Sequence, residues 1–335
     1  MRNRARVRVL ILVLVCLHVA VLFAGFFAPY DAKEQDRNLP YAPPTRVHFT
    51  GASGFHFRPF VYAAVSDSDG YREDRTTEYP IYFFVKGNSY SLLGIFKSER
   101  HLFGVNDPAR IMLLGTDAFG RDEFSRLCFG AQISLGAGLL ATLLTLATAA
   151  VVGTVSGFYG GWIDEALMGL SELFLLLPWL YFLLGVRAFL PLHVSPTGTF
   201  LLLIGVIGLV GWARPARLVR GVVLSARNRN YVSAARGFGG SDFYLLRRHI
   251  LPETFGVLFT QAALLIPLYI AAEATLSFFG LGVSEPVPSW GNMLAVLQHY
   301  NDLVSYGWLL SPAAALVVTS VIYGMLADAL HPRRS

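Results

Sequence analysis

The sequence is short of charged residues and of cysteine. Charged side chains make up 15% of its 335 residues, whereas a soluble domain usually has about 25%. This deficit argues against a protein that works entirely in water. The two cysteines, Cys16 and Cys128, lie far apart, and Cys16 falls inside an apolar run. Neither a disulfide framework nor a metal site is therefore expected.

The sequence also lacks the residue patterns of an enzyme or of a nucleic-acid-binding protein. Its eight histidines are scattered, so they form no spaced pair of ligands or catalytic groups. The GTDAFGRD stretch has no following lysine-serine pair, which argues against a phosphate-binding loop. The chain has a net charge of +5, but its arginines gather at the ends of apolar runs, where positive charge orients membrane helices. We expect no catalytic residue, no cofactor, no metal and no nucleic-acid partner.

Long apolar runs dominate the chain instead. Hydrophobic residues make up 54% of it, and the mean hydropathy is +0.51. Six runs approach or exceed the roughly 20 residues that cross a bilayer. They cover residues 9–28, 133–159, 162–189, 200–223, 254–279 and 306–329. The sequence therefore predicts an all-α membrane protein with six transmembrane helices. Cleavage of the first run as a signal peptide is the alternative, although this run exceeds the usual apolar core of about 7–15 residues.

Arginines around these runs predict the orientation. They cluster before the first run, after the last run and between the fourth and fifth runs, and such clusters mark cytoplasmic segments. The arginines at the two termini are Arg2, Arg4, Arg6, Arg8, Arg333 and Arg334. Both termini and residues 224–252 are therefore expected in the cytoplasm. The fourth run carries Arg214, Arg217 and Arg220, so its membrane part is expected to end near Trp212.

Residues 29–113 form a polar region rich in tyrosine, phenylalanine and proline. Alternation in stretches such as YPIYFFVKG predicts short strands. The region follows the first span, so we expect a periplasmic insertion that packs on the membrane part or on a partner. A disordered linker is the alternative, but the many aromatic residues argue against it.

The GTDAFGRDEFSRL stretch predicts a turn followed by an amphipathic helix at the membrane interface. In that arrangement its charged residues face water, and Phe124 and Leu127 face lipid. The charged residues are Asp117, Arg121, Asp122 and Arg126.

Residues 231–252, YVSAARGFGGSDFYLLRRHILP, form the most informative cytoplasmic segment. Ala234 and Ala235 leave a shallow helix surface that another protein can approach, and the following glycines permit a sharp turn. Ser241 is a candidate N-cap of a second short helix. That helix is expected to stop near Leu251, because Pro252 starts the next element. These features fit either a lever that a partner grips or an ordinary helical hairpin.

This segment resembles the coupling motif of the membrane subunits of binding-protein-dependent ABC importers. The stretches LGTDAFGRDEFSRLCFGAQISL, FYGGWIDEALM, EATLSFFGLGV and PSWGNML resemble the dipeptide and oligopeptide permeases, and they follow in the family's order. The resemblance covers residues 114–329 and the first span. It implies an inner-membrane transport subunit, not an enzyme, with a transport domain at residues 114–335 after the first helix (1–28) and the insertion (29–113).

The resemblance also implies partners and site residues. The partners are a second homologous permease, two ATPase subunits that bind the ATP, and a periplasmic solute-binding protein. The ATPase-coupling residues are Ser233, Ala234, Ala235, Gly239, Ser241, Leu251 and Pro252. Ser233 stands where the family has an acidic residue, so the resemblance implies a lost salt bridge or cap that weakens or re-tunes docking. The cargo is not determined by these motifs.

Glu172 and Glu273 lie within predicted spans, where ionisable residues are costly and often functional. They are candidates for the translocation path, but a hydrogen bond to a neighbouring helix explains them equally well. An ion-coupled secondary transporter is the alternative function. It predicts inverted internal repeats, and the sequence has no such repeat.

Overall fold

A computed structural model describes residues 2–51, 54–67, 70–92, 96–176, 178, 181–182, 185 and 195–330. The helices are α1 (Arg2–Leu22), α2 (Ala24–Phe27), α3 (Glu123–Tyr159), α4 (Gly161–Leu176), α5 (Pro196–Val210), α6 (Ala213–Arg227), α7 (Asn230–Gly237), α8 (Asp242–Leu245), α9 (Leu251–Phe278), α10 (Trp290–Leu294), α11 (Tyr300–Ser305) and α12 (Ser311–Leu330). The strands are β1 (His48–Gly51), β2 (Gly54–Asp67), β3 (Gly70–Pro80), β4 (Tyr82–Leu92) and β5 (Phe96–Gly104). Arg333 and Arg334 lie outside the described residues.

The chain divides into two compact units. The first unit comprises Met1–Ile11, Gly136–Glu273 and Thr319–Ser335, and the second comprises Leu12–Leu135 and Ala274–Val318. The boundaries predicted from the sequence, at residues 28 and 113, stay predictions.

Five of the six predicted spans have a counterpart among the described residues. Four helical stretches are long and apolar enough to cross a membrane, and α5 and α6 together make a fifth, bent by 43°. The four are Arg4–Leu22, Glu123–Tyr159, Asp242–Phe278 and Gly307–Leu330. Helix α4 covers the first part of the predicted third span, and most of that run beyond Leu176 lies outside the described residues. The count of six spans therefore stays a prediction.

The bend between α5 and α6 lies where the sequence places the end of the membrane part. Helix α5 ends at Val210 and α6 begins at Ala213. Beyond the bend, Arg217 and Arg220 reach carboxylates of α4. These two ion pairs attach α6 to α4.

Two glycines let α3 and α6 pack closely in the first unit. A Cβ atom added to Gly153 would lie 2.8 Å from Cβ of Val219, and one added to Gly157 would lie 2.8 Å from Cβ of Val223. The spacing of four residues puts both glycines on one face of α3. Small residues at this spacing allow membrane helices to approach closely.

The insertion in the second unit is folded. Strands β1, β2 and β3 form an antiparallel sheet, and β4 pairs with β5 in a separate antiparallel hairpin. Buried Val61, Ile81, Ala109 and Ile111 form a small core beneath them. The strands are confirmed, although β2 reaches 14 residues and is longer than the short strands expected. The periplasmic location of the insertion stays a prediction.

The turn and the start of a helix expected over residues 115–127 are present, but the expected exposure of their charged residues to water is wrong. Asp117, Arg121, Asp122 and Arg126 are all buried, and α3 begins only at Glu123. The two arginines form ion pairs with Glu285, at 2.7 Å from Arg121 Nη1 and 2.8 Å from Arg126 Nη2. The local charge pattern was misleading because Glu285, the carboxylate that neutralises the two buried arginines, lies about 160 residues further along the chain.

Candidate functional site

Two short helices form the segment at residues 224–252, which we call the coupling segment. Helix α7 ends at Gly237, and Gly239, two residues later, has a φ of +87°. The N–H of Gly239 donates to the carbonyl of Arg236 at 3.0 Å, and that of Gly240 to the carbonyl of Ala235 at 3.0 Å. This pair of bonds is a Schellman motif, in which the residue at the Gly239 position has to be left-handed. The predicted glycine turn is confirmed.

Ser241 starts the second short helix as predicted. Its Oγ accepts a hydrogen bond from the N–H of Tyr244 at 3.3 Å. This bond satisfies a backbone donor that has no partner within the helix.

The expected stop at Leu251 is wrong. Helix α8 continues through one π-helical stretch, Leu246–Ile250, directly into α9. A proline within a helix clashes with the carbonyl four residues earlier. Ahead of Pro252, the N–H of Leu251 bonds to the carbonyl of Leu246, five residues earlier, and this wider turn gives the ring room. The coupling segment is therefore joined to a membrane span without a break.

One side of the coupling segment is buried. Val232, Leu245 and Ile250 pack with Phe158, Val219 and Val223 in a single hydrophobic cluster. The cluster joins the segment to the ends of α3 and α6. Ala235 packs partly against it, whereas Ala234 is exposed. The two alanines, equivalent in the sequence motif, thus face different surroundings.

Hydrogen bonds reinforce this attachment. Arg227 Nη1 donates to the carbonyls of Gly157 and Phe158, at 3.0 and 3.2 Å. Arg229 and the hydroxyl of Tyr231 both bond to Glu253, each at 3.0 Å. The first part of the segment is therefore attached to α3 and to α9.

The opposite side exposes aromatic residues that sequence reasoning missed. Phe238 is 92% exposed and Phe243 is 71% exposed, and Tyr244 lies beside them in the sequence and is also exposed. Exposed apolar groups of this size commonly mark a surface that binds another protein. The signal was present in the sequence, because two phenylalanines flank the glycines of an otherwise basic loop. Ser233, Ala234 and Gly239 are exposed as well.

The two glutamates expected in spans have different surroundings. Glu172 is exposed and accepts a hydrogen bond from Arg217 Nη2 at 2.8 Å. Glu273 is completely buried. Asp164, which the sequence reasoning did not single out, binds both Arg220 and Ser156. These contacts join α4 to α6 and to the end of α3.

An open groove of about 590 Å³ lies in the first unit between α4, α5, α6 and α9. Leucines form much of its wall, and its polar groups come from Arg214, Gln261 and Tyr269. Among the described lining residues neither Glu172 nor Glu273 appears. Their role in a translocation path stays a prediction.

Residues 149–335 match the model of the family "Binding-protein-dependent transport system inner membrane component". This match covers α4 to α12, including the coupling segment and most of the span helices. The chain belongs to this family. The resemblance inferred from the sequence motifs is confirmed, and the protein is an integral membrane permease of the ABC importer class.

The permease is 37% identical over 230 residues to the "Dipeptide transport system permease protein DppC" of Bacillus subtilis. The matched region covers 67% of this chain and 68% of that protein. It is 36% identical over 218 residues to the "Oligopeptide transport system permease protein OppC" of Escherichia coli K12, covering 65% and 70%. A solved structure of the MetNI methionine ABC transporter covers 62% of this chain and 96% of the matched chain, with a TM-score of 0.44 and 16% identity.

Proposed function

We propose that this chain is a membrane-spanning subunit of an ATP-driven peptide importer and forms half of the translocation path. The dipeptide and oligopeptide permeases among its relatives support the class of cargo. The observation that carries the proposal is the coupling segment, which has a buried attachment on one side and exposed aromatic residues on the other. A second permease, two ATPase subunits and an external solute-binding protein complete the importer.

In this proposal, ATP-driven closure of the ATPases moves the coupling segment and thereby tilts the spans. Force applied at Phe238 and Phe243 passes through Val232, Leu245 and Ile250 into α3 and α6. It also passes along the unbroken helix from Asp242 into the span that ends at Phe278. Rigid elements of this kind carry a displacement from one site to another.

The cargo side of the proposal concerns the groove of the first unit. Its apolar wall and few polar groups suit peptides with varied side chains, because an apolar surface makes few directional demands. A second permease would provide the facing wall. Glu172 and Glu273 stay candidates for the path, either as contacts of the cargo or as hydrogen bonds that hold helices.

Variants of Ala234 and Gly239 test the coupling role. We expect Ala234→Trp to block the ATPase contact, because Ala234 is exposed beside the aromatic residues, whereas Ala234→Ser keeps the surface shallow. We expect Gly239→Ala to strain the turn by about 1 kcal/mol. Gly237→Ala is its matched control, since Gly237 lies in helix α7 with open space around it.

The measurement is co-purification of the ATPase subunits together with peptide uptake in the same membranes. Ala234→Trp should lower both by tenfold or more at normal permease abundance, Gly239→Ala should lower them several-fold, and the two controls should match the wild type. Full assembly and uptake with Ala234→Trp and Gly239→Ala would show that the segment is an ordinary cytoplasmic hairpin.

A further inference from the structure

The β4–β5 hairpin of the insertion is clamped to the end of the first span. Helix α2 follows that span directly, and the rings of Phe26 and Phe84 lie 6.1 Å apart. The ring nitrogens of buried His101 lie 2.5 Å from the carbonyl oxygen of Ala28 and 2.9 Å from that of Asn88. A Cβ atom on Gly25 would lie 2.5 Å from Cγ of Tyr90, so the hairpin and α2 touch closely. The height of the hairpin relative to the span is therefore set.

If the first span crosses the bilayer as the sequence predicts, that height corresponds to the lipid headgroup layer. The apolar run of the first span, residues 9–28, has a length that crosses the hydrocarbon core, and it ends at Ala28, the residue that His101 contacts. The headgroup layer adds roughly 5–8 Å on each side of a hydrocarbon core of about 30 Å. Gln132 Nε2 donates to the carbonyl of Val21 at 2.9 Å, so the first part of α3 packs beside the last part of the first span. Helix α3 has 37 residues and a length of about 56 Å, so it must extend beyond the core.

The exposed surface of the hairpin has the composition of an interface anchor. Phe83 is 62% exposed and Phe84 is 60% exposed. Consecutive residues of a strand normally alternate between two faces, but Phe84 has a φ of +56°, which interrupts the alternation. Left-handed backbone is uncommon for a bulky residue and is kept where function or packing requires it. On α2's N-terminal side, Phe23 is exposed as well.

Basic residues lie next to these aromatic rings. Lys86 stands directly opposite Arg100 in the strand pairing, an arrangement of like charges that destabilises a hairpin unless an anion is near. Lys97 and the acidic Glu99 lie on the same strand as Arg100 and line a shallow surface with them. Phosphate groups of lipids would relieve the repulsion, and aromatic rings beside basic residues are typical of segments at the membrane interface.

We propose that Phe23, Phe83 and Phe84 seat the β4–β5 hairpin in the lipid headgroup layer, with Lys86 and Arg100 facing lipid phosphates. The insertion is then an extension of the membrane-contacting surface as well as a soluble lobe. This role does not depend on the nature of the cargo.

Fluorescence quenching by nitroxide lipids tests the proposal. Cys16 and Cys128 are changed to serine in the full chain. Phe83→Cys then provides a single cysteine, which is labelled with a fluorophore. The chain is purified with the subunits that accompany it and reconstituted in liposomes of phosphatidylethanolamine and phosphatidylglycerol. Phe57→Cys is the matched control, because Phe57 is a phenylalanine of the other sheet that is 95% exposed.

We expect the label at Phe83 to be quenched at least twofold more by a headgroup nitroxide than by one at the acyl-chain end. The label at Phe57 should be quenched only by aqueous iodide. Equal lipid quenching at the two positions would overturn the proposal. A label at Phe83 that both lipid and iodide fail to reach would also overturn it, because another protein then covers the hairpin.

Lipid composition tests the basic residues separately. Replacing phosphatidylglycerol by phosphatidylcholine should reduce headgroup quenching at Phe83, and the Lys86→Gln, Arg100→Gln double variant should no longer respond to this exchange. If composition has no effect on the unchanged hairpin, the contact of Lys86 and Arg100 with phosphates is wrong.

Discussion

Arg121 and Arg126 are almost completely buried, and buried arginines need nearby negative charge. Asp117 and Glu285 supply it, through Arg121 Nε at 2.6 Å from Asp117 and through the ion pairs with Glu285. Burial raises the pKa of Glu285, but the charges of Arg126 and Arg121 outweigh this effect and lower the pKa overall. Glu285 therefore stays ionised near neutral pH and holds its loop against the start of α3.

Asp122 behaves in the opposite way. Burial raises its pKa from the ordinary 3.8 to about 6, against hydrogen bonds from Ser125 and Phe124 that favour the ionised form. One of its oxygens, Oδ1, has no hydrogen-bond partner. An ionised carboxylate in this position is costly.

The pH dependence of stability tests this difference. Between about pH 4 and pH 6 the folded state keeps a proton on Asp122, whereas the unfolded state releases it. Protonation of Asp122 therefore stabilises the folded state fully below pH 4, and this stabilisation is lost as the pH rises through the folded-state pKa of about 6. The free energy of unfolding that is lost in this way is at most roughly 3 kcal/mol. We expect Asp122→Asn to flatten the fall in thermal midpoint between pH 4.5 and 7, measured in detergent.

Asp107→Asn is the control for this experiment. Asp107 is exposed, so its variant should follow the wild-type curve. An Asp122→Asn variant that keeps the full wild-type dependence on pH would contradict the role given to Asp122.

At the scale of elements, the crossing of α3 and α6 depends on two glycines. Ala149, Ala213 and Ala216 continue the small-residue contact beside Gly153 and Gly157. Membrane helices gain little from expelling lipid, so close packing of this kind stabilises their association. The contact also sets the position of Phe158 and Val223, on which the coupling segment rests.

Leucine substitutions test this crossing. Gly157→Leu should overpack the contact, at about 1–3 kcal/mol, and should lower the amount of monodisperse protein in size-exclusion chromatography several-fold. Gly169→Leu is the control, because a side chain at Gly169 in α4 meets open space. Two variants with the same elution profile as the wild type would show that the crossing tolerates a wider separation.

At the scale of the whole molecule, the arginine distribution predicts which segments lie in the cytoplasm. In a chain without Cys16 and Cys128, single cysteines replace residues on either side of the proposed membrane. Arg6→Cys and Asn228→Cys should react with an impermeant thiol reagent only after the cells are opened. Asp67→Cys and Asn301→Cys should react in intact cells. Labelling of Asn228→Cys in intact cells would reverse the orientation and place the coupling segment away from ATP.

The sequence by itself determined the class of protein, five span positions, and the glycine turn and N-cap of the coupling segment. These features depend on neighbouring residues. A run of about 20 apolar residues has to cross a bilayer wherever it stands in the chain, because its helix satisfies its own backbone hydrogen bonds. Gly239 and Ser241 likewise act on backbone groups within a few residues, so the turn and the N-cap were predictable.

Only the tertiary structure decided features that need partners distant in the chain. The sequence predicted that Arg121 and Arg126 face water, whereas the structure buries them against Glu285. Pro252 looked like a helix stop because a pattern of residues does not reveal the π-helical turn that accommodates it. Ala234 and Ala235 looked alike until Val219 and Val223 buried one side of the segment. The physical reason for the arginines and the alanines is the same, since burial and ion pairing are set by which surfaces meet in space.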